Sequence, residues 1–145
     1  MCKPTPTESF QQYFDRQGFK YFKARELTWY FSRVRNGVRN SEPPREIWHS
    51  IIPTFRILDK LREKIGRPII ISSTYRSPAY NRTVGSTNAS QHVRFTAVDF
   101  SSPGATPAHL HSELLAMRNS GEWVGGLGRY RTFVHIDTRG RNATW

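Results

Sequence analysis

Five histidines, His49, His92, His109, His111 and His135, hold most of the scope for acid, base or metal chemistry in this chain. Their surroundings separate them. His49 lies in a segment of helical periodicity, and His109 and His111 stand two apart in another, where they cannot share a face. These three read as ordinary surface or satisfied histidines. His92 stands seven residues before Asp99 at the head of an apolar segment, and His135 lies inside a second such segment with Asp137 two residues on. Side chains alternate across a strand, so Phe133, His135 and Asp137 share one face while Val134 and Ile136 take the other, toward a core. Two imidazoles and one carboxylate make a zinc set with a fourth position left for water, the open arrangement of catalytic rather than structural sites. Spacing alone does not single that set out, since any His and Asp can be paired on paper. Cysteine offers no competitor: Cys2 is the only one, which excludes an internal disulfide framework and a Cys-rich zinc finger.

The elements that must position these residues follow from periodicity and breakers. From Pro44 to Ile65 the apolar residues Ile47, Ile51, Phe55, Leu58, Leu61 and Ile65 recur at spacings of three and four, one face of a helix that Pro53 should kink or divide. Gly66 and Pro68 stop it, and Ile69 to Ile71 continue as a short buried strand. Ser77-Pro78 opens a turn or short helix through Asn81, and 96–100 reads as a second strand. Thr106-Pro107 is an N-cap and first-turn pair that leads a helix through Leu110, Leu114, Leu115 and Met117 to Gly121. Two further strands are predicted over 123–127 and 132–137, joined by a turn at 128–131. The fold class is α+β, a small antiparallel sheet with helices packed on one side.

Composition bounds the partners. At 145 residues the chain makes one domain, 1–145, large enough to build a core without disulfides or oligomerisation, and a monomer is expected. Lys plus Arg number 22 against 11 Asp plus Glu, a net charge of +11 that favours polyanions. No apolar run reaches the length of a membrane span, and residues 1–12 lack the apolar stretch of a secretion signal. Across 8–40, Tyr13, Phe14, Phe19, Tyr21, Phe22, Trp29, Tyr30 and Phe31 interleave with Arg16, Lys20, Lys23, Arg25, Arg33, Arg35 and Arg39. Such a mix permits base stacking with phosphate pairing, but no nucleic-acid motif accompanies it, and the simpler reading buries the aromatics and turns the cations to solvent.

Three stretches, in order, carry a resemblance. They are Ile70-Ile71-Ser72-Ser73-Thr74-Tyr75-Arg76-Ser77-Pro78-Ala79-Tyr80-Asn81; Ser90-Gln91-His92 with Ala97 and Asp99; and Gly126-Leu127-Gly128-Arg129-Tyr130 with Phe133-Val134-His135-Ile136-Asp137-Thr138-Arg139-Gly140. Together they resemble the signature of the zinc D-alanyl-D-alanine carboxypeptidases and related peptidoglycan endopeptidases, closest to the compact single-domain branch encoded by phages and small viruses. The likeness runs from about Glu26 to Trp145, leaving 1–25 as a basic and aromatic N-terminal extension. It implies the Hedgehog/DD-peptidase fold, with His92, Asp99 and His135 as ligands of one Zn2+ per chain. It also implies that Arg76 lies in the substrate cleft, pairing with a peptide carboxylate or the developing oxyanion, and that Ser90 hydrogen-bonds substrate. Against a structural ion pair, that is the sharper reading of Arg76.

Departures from the family pattern bear on activity. Family members usually carry Gly where this chain has Phe95, which is expected to narrow or reshape the loop between two ligands, and often Gly where it has Ser86. The acidic or histidine base that other branches place three or two residues before the last ligand is replaced by Thr132 and Phe133. Asp137 is then the best remaining base, with a competing role of holding a ligand imidazole in its tautomer. The function implied is zinc-dependent hydrolysis of D-amino-acid-containing amide bonds in peptidoglycan stem peptides. The protein would be made in a host cytoplasm and act at the bacterial wall after lysis or from a virion, with the positive charge adding nonspecific attraction to anionic wall polymers. The alternatives are a catalytically silent zinc module that binds wall or virion, and, more weakly, a basic nucleic-acid-binding domain.

Overall fold

The computed structural model describes residues 3–85 and 90–145; Cys2 and Ser86 lie outside them. Ser9 opens α1 (Phe10–Asp15) with a capping box, its hydroxyl accepting Gln12 N while the Gln12 side chain returns to Ser9 N. A single turn, α2 (Arg25–Thr28), runs on into a 3-10 turn over Trp29–Ser32. A hairpin that periodicity had not disclosed follows, β1 (Val34–Arg35) and β2 (Val38–Arg39), reversing at Asn36-Gly37 with φ of 50° and 77°. Positive φ at both central residues is what an Asn-Gly turn supplies.

The long helical pattern divides where Pro53 demands. Residues Arg45–Ile51 form a 3-10 helix, and α3 (Ile52–Ile65) takes Pro53 into its first turn, where a missing N–H is harmless. Gly66, at φ 62°, ends it. Then come β3 (Ile70–Ser73), α4 (Pro78–Thr83) capped by the Ser77 hydroxyl, β4 (Ala97–Ser101) and α5 (Pro107–Asn119) capped by Thr106. The chain closes with β5 (Gly126–Arg129), β6 (Val134–Asp137) and β7 (Ala143–Thr144). β5 begins later than the expected strand over 123–127 because Trp123 is taken by α5, its indole donating to Leu114 O at 3.0 Å.

The fold is α+β. Five strands lie in the order β3-β4-β6-β5-β7. The first four form the expected small antiparallel sheet, and β7 adds a short parallel edge on β5. Alternation gives the sheet two different faces. Ile71, Val98, Phe100, Leu127, Val134 and Ile136 share the core with Phe55, Leu58 and Leu61 of α3 and with Leu110, Leu114 and Met117 of α5. The opposite face carries Asp99 and Asp137 with His135 and the glycines 126 and 128.

The aromatics of the first quarter complete that core. Phe10, Tyr13, Phe14, Phe19 and Phe22 are buried; Phe14 meets Phe55 edge-on at 5.0 Å, and Phe10 meets Trp48 at 5.3 Å. Arg16, Lys20, Lys23, Arg25, Arg33, Arg35 and Arg39 are exposed. The stripe therefore packs rather than presents its rings, Trp29 being the one exposed exception in it. No helix among the described residues is long and apolar enough to cross a membrane.

Candidate metal centre

Strand register builds the site. Asp99 on β4 stands opposite His135 on β6, which stands opposite Gly128 on β5; one row along, Ala97, Asp137 and Gly126 align in the same way. His92 arrives from the turn before β4, where its carbonyl accepts Arg76 N at 3.2 Å and its N–H is received by Ser90 Oγ at 3.2 Å. Past an irregularity between Ile71 and Ser73, Thr74 leaves the β3 ladder; its hydroxyl bonds Ala97 O at 3.2 Å and its carbonyl receives His92 Nδ1 at 2.7 Å. One ligand atom from each of His92, Asp99 and His135 then falls within 4.8 Å of the others, and all three side chains are buried.

A hydrogen bond sets the tautomer of His92, whereas His135 has a carboxylate at each ring nitrogen. A carbonyl can only accept, so His92 Nδ1 carries the proton and Nε2 turns its lone pair toward Asp99 Oδ2, 3.3 Å away. His135 Nε2 lies 2.7 Å from Asp137 Oδ2, and its Nδ1 lies 2.9 Å from Asp99 Oδ1. Burial pushes His92 below the usual imidazole range, which keeps it neutral. Burial also acts to lower His135, but hydrogen bonds to Asp137 and Asp99 outweigh it and raise that group. Asp99 is held well below the usual carboxylate range, burial being overcome by His92 and His135. His92 Nε2, His135 Nδ1 and an ionised carboxylate thus converge on one point; three N/O groups with an open side suit Zn2+, which would take the place of a proton on His135 Nδ1.

Asp137 lies on the far side of the His135 ring from that point and is fully buried. Besides His135 Nε2, its oxygens receive Gly126 N at 3.0 Å, Arg139 N at 3.1 Å, Arg139 Nε at 2.9 Å and Arg139 Nη2 at 2.8 Å. Burial would raise its pKa, but His135 and Arg139 bring it well below the ordinary range. A carboxylate so placed can orient an imidazole through the ring nitrogen opposite the metal side. Of the two roles open to Asp137 in the sequence, this is the geometry that the second, holding a ligand imidazole in its tautomer, requires. Gly126 is required here, since a Cβ on it would overlap the Asp137 carboxylate.

The ligands open into a cleft of about 350 Å3. Arg76 and Ser90 line it, as their place in the motif implies. The Arg76 guanidinium reaches Asp99 Oδ2 at 3.6 Å, Ser73 Oγ at 3.3 Å, Asn81 Oδ1 at 3.4 Å and Tyr30 OH at 3.4 Å, so it is both an ion-pair partner and a wall of the cleft. Phe133 lines the cleft, whereas Thr132 is exposed outside it. Phe95, expected to narrow or reshape the loop between two ligands, does not line the cleft. Its backbone takes φ 58°, the left-handed region that explains a glycine preference, and its ring points into the core beside Phe10 at 5.8 Å and Tyr75 at 5.8 Å. His49, His109 and His111 stand apart from the trio.

One wall of the cleft was not foreseen. β7 delivers Trp145 over Gly128, where any Cβ would overlap the indole, and the indole lies 5.2 Å from the His135 ring. Trp145 Nε1 donates to the Tyr130 hydroxyl at 2.8 Å, Tyr130 stacks on Phe133 at 4.5 Å, and the Arg139 guanidinium covers the indole at 5.2 Å. Gly128 and Arg139 stand in the recognised motif, but the two-residue parallel pairing that brings Trp145 to them leaves no periodic signal.

Neither the curated proteins nor the solved structures give a match to this chain. A family model described as Peptidase M15 matches residues 20–137, a span that contains all three candidate ligands and ends on the carboxylate behind His135. By that match, which covers most of its length, the chain belongs to the peptidase M15 family, whose members are zinc-dependent.

Proposed function

We propose that the protein is a zinc peptidase that hydrolyses D-amino-acid-containing amide bonds in peptidoglycan stem peptides, as a D,D-carboxypeptidase or a cross-link endopeptidase. The observation that carries the reading is the convergence of His92 Nε2, His135 Nδ1 and Asp99, with Thr74 O fixing the His92 tautomer and Asp137 Oδ2 placed to receive a proton on His135 Nε2. One zinc per chain at that point supplies Lewis acidity to a scissile carbonyl and acidifies water toward neutrality. Arg76 orients the peptide and stabilises negative charge that develops on the carbonyl oxygen, being already fixed by Ser73 and Asn81 at the cleft wall. Ser90, its hydroxyl tied to His92 N, offers a hydrogen bond to the peptide backbone. Asp137 is a positioning residue.

In this reading the chain works as a monomer, encoded by a phage or small virus, made in the host cytoplasm and delivered to the wall by lysis or in the particle; its charge of +11 adds salt-sensitive attraction to anionic wall polymers. A second reading, a silent zinc module that binds wall or virion, is favoured by one observation: apart from the ligands themselves, no carboxylate or imidazole lines the cleft among the described residues. Incubating zinc-replete protein with purified muropeptides, with and without chelator, separates the two. Chelator-sensitive release of D-alanine or of uncrosslinked peptides supports the peptidase; binding without product supports the silent module.

A further inference from the structure

We propose that Tyr130 is a catalytic residue of the cleft, donating the proton that the leaving amine needs, and that Trp145 positions its hydroxyl. The inference rests on the peptidase reading and supplies the part that Thr132, Phe133 and Asp137 do not. Amide cleavage requires a proton at nitrogen, since an amide anion does not leave. Of the side chains that line the cleft, Arg76 and Arg139 do not release protons, Gln91 and the indole of Trp145 are donors that do not ionise, and Phe133 has none to give. Two hydroxyls remain among the described residues, Ser90 and Tyr130. Ser90 Oγ accepts from His92 N and keeps its own O–H, but an aliphatic hydroxyl gives up a proton far less readily than a phenol.

Tyr130 is placed differently. Its oxygen accepts the Trp145 indole N–H at 2.8 Å, and because that bond fills an acceptor position its own O–H is left to donate. The indole that fixes it rests 5.2 Å from the His135 ring, and Phe133 stacks on the phenol at 4.5 Å with an interplanar angle of 7°, so ring and hydroxyl are held from two sides. Phe133 then acts as a support for the residue that replaces a base. The balance is simple. Oxygen from water adds to the carbonyl carbon, the C–N bond breaks, Tyr130 Oη gives its proton to the nitrogen, and the phenolate regains a proton from the attacking water. One water is consumed for one carboxyl and one amine.

The test compares two leaving groups on zinc-replete, full-length protein: an acyl-D-alanyl-D-alanine peptide, and the thioester in which D-thiolactate replaces the terminal D-alanine. A thiolate departs without a proton; an amine does not. Tyr130→Phe is expected to bind one zinc per chain and to lose about 100-fold in kcat on the peptide, with KM little changed and the thioester rate kept. Trp145→Phe, which keeps a ring but removes the indole N–H, is expected to show the same split at about tenfold, and decides the matter if Tyr130→Phe does not fold. Equal losses on both substrates, or none, overturn the assignment while leaving the peptidase intact. Wild-type protein inactive on both substrates overturns the peptidase reading and this one together.

Discussion

His135 and Asp137, two residues apart on β6, meet through Nε2 and Oδ2 at 2.7 Å, which leaves His135 Nδ1 for the metal side. Two residues apart on a flat strand would put both side chains on one face, side by side and equally available. Here the carboxylate instead tucks behind the imidazole, into space left by Gly126, and is neutralised by Arg139. Asp137→Asn is expected to weaken zinc affinity by about 10- to 100-fold, because the amide oxygen still accepts from Nε2 but without charge. At saturating zinc much of the hydrolytic rate should return. A base at this position would give the reverse pattern, with affinity unchanged and rate lost.

The approach of Trp145 to Gly128 makes a second variant informative. Gly128→Ala puts a methyl where the indole lies and must push Trp145 away from His135. Zinc should remain, since no ligand moves, while tryptophan fluorescence changes and hydrolysis falls by about tenfold or more. Loss of zinc with normal fluorescence would mean that the strand, rather than the wall, had given way.

Phe95 offers a test of the core. Its ring is buried among Phe10, Phe31 and Tyr75, so Phe95→Ala should cost about 3–5 kcal/mol in denaturant unfolding. Glycine usually destabilises relative to alanine, but at φ 58° the order is expected to invert, with Phe95→Gly about 1 kcal/mol more stable than Phe95→Ala.

Glu8 gives a pH dependence away from the metal. Hydrogen bonding from Arg16 holds its carboxyl below the ordinary 4.5, with Thr5 N adding to the effect. A depressed folded pKa contributes stability above the unfolded value, lost as pH falls through the folded one. Wild type should therefore exceed Glu8→Gln in stability at neutral pH, the gap shrinking below pH 4.5 and closing in stronger acid. Thermal melts of both proteins between neutral pH and strong acid check the sign.

How much of this was legible before the structure depended on range. The helix break at Pro53 and the caps at Ser77 and Thr106 are local chemistry, and each formed where the residue types require. His92, Asp99 and His135 were legible because a motif of fixed spacing on paired strands brings them together. The hairpin at Asn36-Gly37 carried a turn signal, but strands of two residues are too short to show alternation. Trp145 was hidden for a related reason: a short parallel edge pairing places it, and Arg118 secures that pairing from α5 through Gly125 O at 2.7 Å and Ala143 O at 3.0 Å. The role of Asp137 turned on which side of an imidazole a carboxylate occupies, which strand alternation does not specify.

The central claim is that His92, Asp99 and His135 hold one zinc ion, and metal analysis of protein purified with zinc and freed of excess by gel filtration tests it most directly. The account predicts about one zinc per chain in wild type, and none in His92→Ala or His135→Ala variants whose circular dichroism shows them folded. No zinc in folded wild-type protein, or full zinc retained in both variants, would contradict it.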